Sequence, residues 1–77
     1  MQSTTIPTVD IKGTGTRIDT LRKNAGLSVK DIQSILGLGS SQAVYKWLAG
    51  RCLPTIDNLV ILSAVLNVKI DDIIVRS

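Results

Sequence analysis

Gln42 and Lys46 stand four residues apart in the stretch SSQAVYKWLAGR, residues 40–51. Both side chains can engage a polar or anionic surface. A primary amide carries a donor and an acceptor side by side, the complement of the N6/N7 edge of adenine, and an ammonium can donate to guanine O6/N7 or to a phosphate oxygen. At about 100° per residue, Gln42, Lys46 and Ala49 share one side of a helix. Val44, Trp47 and Leu48 fall on the opposite side, and Tyr45 on a flank. The segment therefore reads as a short helix with an apolar face and a second face of hydrogen-bonding groups.

Composition narrows what that second face can serve. The formal charge is +3, and between Asp31 and Asp57 the chain has no acidic residue, only Lys46 and Arg51. An anionic partner should meet that segment. One Cys and no His leave no disulfide framework, no Cys/His zinc site and no histidine base for a nucleophile. The adjacent Asp71 and Asp72 are better explained as carboxylates at the positive end of a helix than as a metal site. We therefore expect no enzyme, no metal and no cofactor. The most apolar stretch, Leu59 to Leu66, is too short to cross a bilayer, and residues 1–15 do not have the basic-then-apolar pattern of a leader. A soluble cytoplasmic protein is expected.

The elements that position the 40–51 segment can be read from hydrophobic spacing. Apolar residues are 44% of the chain, yet Tyr45 and Trp47 are its only aromatics, so a core must be built of Ile, Leu and Val. Residues 1–15, MQSTTIPTVDIKGTG, read as a flexible arm in which TVDI can make a short extended contact. Residues 16–77 form the folded domain. Helix 1 is expected over about 17–24, capped by Thr16, with Ile18, Leu21 and Ala25 on its apolar stripe and Gly26 ending it. Helix 2 starts at Ser28 with Asp31 three residues on, buries Ile32, Ile35 and Leu36, and ends at Gly37. Ser40 or Ser41 caps helix 3, about 41–49, and Gly50 closes it. Pro54 and Thr55 open helix 4, which is apolar on most of its circumference and suited to the centre of a bundle. Asn67 ends it, and KIDDIIV makes a short helix 5. The fold class is all-α, a five-helix bundle.

Four pieces of this pattern carry a resemblance: IDTLRKNAGLSVKDI, VYKWLAGRCLP, TIDNLVILSAVLNV and IDDIIV, which together span about residues 16–75. In combination the chain resembles the lambda-repressor-like, Cro-type helix-turn-helix family, also called the xenobiotic response element family. Four features depart from the usual family pattern, the first being Leu48 in place of the frequent Glu after the Trp. LGLGSSQAV is one residue longer between helices 2 and 3; Gln33 replaces a small alanine; and Lys69 replaces a capping hydroxyl before helix 5.

The resemblance implies double-stranded DNA as partner, helix 3 in the major groove and homodimers on palindromic operators. Carried onto this sequence, it assigns base contacts to Ser41, Gln42, Tyr45 and Lys46. Phosphate contacts fall to Lys30, Ser40, Arg51 and Thr55. The implied activity is sequence-specific transcription regulation, as a bacterial or phage repressor acting by occupancy. Two alternatives use the same fold differently: an antitoxin holding a protein partner through the N-terminal arm, and a module used only for protein contacts. Cys52 is expected in a loop or in the core, and Arg17, Arg22 and Lys23 are expected to serve solubility.

Overall fold

The computed structural model describes residues 7–77, so residues 1–6 of the arm expected over 1–15 lie outside them. Five helices follow one another: α1 Ile11–Asn24, α2 Val29–Leu36, α3 Gln42–Leu48, α4 Ile56–Leu66 and α5 Ile70–Ile73. Ile18, Ile32, Val44, Trp47, Leu59, Leu62, Leu66 and Ile73 form the buried core. The five-helix, all-α expectation holds.

Helix 1 differs most from its expectation. It begins at Ile11 rather than near 17, and residues 11–15 belong to it rather than to an arm. The cap is Asp10, whose Oδ1 accepts a hydrogen bond from the Gly13 N–H at 2.9 Å; Thr16 is an exposed residue in mid-helix. Packing outweighs the low helix propensity of Gly13 and Gly15. Thr14 and Gly15 are buried, and a Cβ on Gly15 would collide with the carbonyl oxygen of Trp47. Glycine is thus what lets α1 cross the end of α3 with the two backbones in contact.

The extended contact foreseen for TVDI is present. Val9 and Arg76 form an antiparallel bridge, the Asp10 N–H donates to the Val75 carbonyl, and the Ser77 N–H donates to the Thr8 carbonyl, both at 2.8 Å. The buried Thr14 hydroxyl oxygen accepts from the Val75 N–H at 3.0 Å. The two ends of the described chain are therefore tied to each other over α1. The chain accordingly turns inward at Ile73 and pairs at Arg76.

The C-termini of α1, α2, α3 and α4 follow their sequence signals. Gly26, Gly37, Gly50 and Asn67 all have positive φ, and in each case the next residue's N–H reaches back to a carbonyl of the helix's last turn, the Schellman arrangement. Ser28 and Asp31 form a full capping box on α2, and the Thr55 hydroxyl accepts from the Asn58 N–H on α4. At α5 the Asp72 carboxylate accepts from the Lys69 N–H at 3.3 Å, which supplies from the helix side the cap that Lys69 cannot.

Several facing expectations are corrected. Ile35 on α2 is 45% exposed, because it lies on the solvent side of a helix that buries only Ile32 fully. Ala25 is exposed beyond the end of α1. Helix α4 is not the bundle's centre. Leu59, Leu62 and Leu66 face the core, while Ile56, Val60 and Ile61 are exposed at 73, 51 and 37%. Cys52 is an exposed loop residue. Arg22 is half-buried rather than a solubility residue: its guanidinium binds Asp19 Oδ1 at 2.6 Å and the Leu27 carbonyl at 2.7 Å. Arg17 donates to the Asp72 carbonyl.

Candidate nucleic-acid interface

The site is built around α3. Its seven residues divide as the periodicity requires: Val44 and Trp47 are buried, Ala43 and Leu48 are half-buried, and Gln42, Tyr45 and Lys46, with Ala49 just beyond, are exposed. The exposed residues occupy an arc of about 100°. Trp47, only 4% exposed, anchors the opposite side. A helix this short, roughly 10 Å long, is held in place by its neighbours rather than by its own propensity.

Those neighbours set its position and rotation. From one end, α1 lies against the backbone of Trp47 and Leu48 at Gly15. At the other end is a small network between α2 and the start of α3. The Ser41 hydroxyl donates to Gln33 Oε1 at 2.6 Å, and Gln33 Nε2 donates to the Leu38 carbonyl at 3.3 Å. Gln33 thus spans the longer turn, so the two departures from the usual pattern are one structural feature. A small alanine at 33 could not bridge it.

This network engages Ser41 and leaves Ser40 outside it. Ser41 is the N-cap residue of α3, but its side chain makes no cap hydrogen bond; its proton goes to Gln33, and the residue is half-buried. Ser40 accepts a long 3.4 Å hydrogen bond from the Gln42 N–H and is exposed. Periodicity could not reveal the Ser41–Gln33 pair, because the partners lie on different elements.

Beside the exposed arc, Tyr45, Lys46, Ala49 and Arg51 line a shallow, open hollow. The chain reverses here because Gly50 is left-handed, with φ +73°, and because the Arg51 N–H returns to the Lys46 carbonyl at 2.9 Å. The structure therefore brings Lys46 and Arg51, five residues apart, to one hollow. Tyr45, 59% exposed, packs into no core. Lys30 is exposed on the first turn of α2, and Thr55 is exposed where it caps α4. The ion pairs among the described residues are those of Asp19 with Arg22 and Lys23 on α1. The cations at and around α3 have no partner among those pairs.

A family model described as helix-turn-helix matches residues 18–73. The chain belongs to the lambda-repressor-like helix-turn-helix family. Among solved structures, this helix-turn-helix chain is similar to the restriction-modification controller protein C.AhdI from Aeromonas hydrophila. The TM-score is 0.73 at 23% identity, over 83% of this chain and 96% of that one. At that identity the likeness is one of fold. No curated protein matches the helix-turn-helix chain. Family membership supports DNA-binding transcription regulation with double-stranded DNA as partner. Among the described residues, no helix is long and apolar enough to cross a membrane.

Proposed function

We propose that the protein is a sequence-specific regulator of transcription that places α3 in the major groove and represses by occupying its operator. The observation that carries this reading is the solvent-facing arc of Gln42, Tyr45, Lys46 and Ala49, continued by Arg51. Gln42 is the adenine-reading amide, and Lys46 donates to guanine or phosphate. Tyr45 offers a ring to a thymine methyl or a hydroxyl to the backbone. Arg51, Lys30, Ser40 and Thr55 hold phosphates around the helix. Ser41 acts chiefly by fixing the start of α3 through Gln33.

One domain with a single recognition helix reads only a half-site, so specific affinity calls for two copies joined by symmetry. The exposed apolar stripe Ile56–Val60–Ala64 on α4 is the surface we assign to that pairing. The rival in which an N-terminal arm holds a protein partner has less to draw on, because residues 8–10 are already paired with 75–77.

The test is selection of bound DNA from a random duplex pool, followed by titration of wild type and Gln42→Ala on the enriched site. Two symmetric half-sites are expected, and Gln42→Ala should relax preference at one position in each by about 1–3 kcal/mol. Selection that enriches no sequence would overturn the reading in favour of a protein-binding module.

A further inference from the structure

We propose that Lys12, on the first turn of α1, is an additional phosphate contact that carries the cationic surface of α3 and Arg51 onto a second helix. This inference rests on the DNA-binding reading of α3. It starts from Gly50. A Cβ built there would lie 2.6 Å from Lys12 Cγ and 2.9 Å from Lys12 Cα. The space over Gly50 is therefore filled by the Lys12 backbone and the root of its side chain. Gly50 is the residue between Ala49 and Arg51, and both of those line the hollow beside the recognition arc.

The arrangement is held from two directions. Gly15, one turn further along α1, abuts the carbonyls of Trp47 and Leu48, so α1 cannot shift along α3 without a backbone clash. Asp10 caps the same turn through Gly13. Lys12 is thus fixed at its root on a rigid element while its side chain remains exposed. Restricting the stem at Gly50 lowers the rotamer entropy lost when the ammonium binds. The two ion pairs among the described residues involve Arg22 and Lys23, so Lys12, Lys46 and Arg51 stay uncompensated by those pairs. Three such cations from two elements, gathered at one end of α3, suit a polyanion that runs past that end.

The alternative is that a lysine at this point only complements the negative C-terminal end of α3. That role would stabilise the fold without contributing to DNA binding, and the two roles are separable by salt. Lys12→Met keeps an unbranched stem over Gly50 and removes the charge. On the enriched operator, the slope of log K against log salt should become shallower by about 0.9, the contribution of one phosphate contact. The affinity loss should be the same factor on a scrambled duplex, because phosphate contacts carry no sequence information. Thermal unfolding of the free protein should stay close to wild type. Lys69→Met, which removes the same charge from the α4–α5 turn, should retain the wild-type slope.

A wild-type slope in Lys12→Met overturns the assignment. An equal loss in Lys69→Met overturns it too, since the effect would then be one of net charge. If wild type itself shows no salt-dependent binding to duplex DNA, the α3 reading fails and this one with it. Wild-type binding with an unchanged Lys12→Met slope rejects Lys12 alone.

Discussion

At the residue scale, Asp19 shows how a side chain outside the exposed arc of α3 supports the elements that present it. The hydrogen bond from Arg22 holds its carboxyl below the usual carboxylate range, with Lys23 adding to the effect against the opposing influence of burial. Arg22 in turn holds the Leu27 carbonyl at the α1–α2 turn. Because the folded state lowers the pKa, ionised Asp19 adds stability above the unfolded-state value, and that increment disappears as pH falls through the folded one. Asp19→Asn should therefore melt below wild type at neutral pH. The gap should narrow as pH drops from about 5 towards 2, which paired melting curves over that range will show. A gap that stays constant with pH would assign the loss to packing instead. Asp31 shifts in the same direction through its hydrogen bond from the Ser28 N–H. The capping box was legible in the sequence because its two residues lie three apart on one element. The Arg22 link was not, because its carbonyl partner belongs to the turn.

At the scale of elements, the α2–α3 connection is held by Gln33, Ser41 and Leu38. Gln33→Ala removes an acceptor and a donor together and should cost about 1–2 kcal/mol in urea unfolding. Ser41→Ala should cost less, and the double variant should fall short of the sum of the two singles because one hydrogen bond is counted in both. Additive losses would show that the pair is not coupled. What the sequence revealed here follows the same division between local and non-local forces. Helix ends at Gly26, Gly37, Gly50 and Asn67 could be read because a positive φ is a local demand met by few residue types. The buried face of α3 could be read from its period. The first two turns of α1 could not, because Gly13 and Gly15 argue against a helix locally; their reason is the backbone of α3 and the paired chain ends. Ile35 and Ala25 were misassigned because spacing identifies a face without saying how wide the neighbouring surface is.

At the scale of the whole molecule, α4 explains both why its sequence looked central and why it is not. An all-round apolar helix is ordinarily buried, yet this one sends Leu59, Leu62 and Leu66 inward and leaves Ile56, Val60 and Ile61 in solvent. Sequence alone cannot distinguish a helix buried in its own domain from one buried against a second copy. A stripe of this kind is stable in water as part of an interface. On the proposed reading, its place on α4 would let two copies meet while the exposed arc of α3 stays free for DNA. Val60→Asp should therefore yield a monomer by sedimentation, with thermal stability lowered only through lost association. The monomer should still bind a duplex with one half-site, but it should lose the gain in affinity that wild type shows when a second half-site is added about one helical turn away. A Val60→Asp protein that sediments like wild type and keeps that gain would move the pairing surface off α4, and the operator's half-site spacing would then have to be explained from another face.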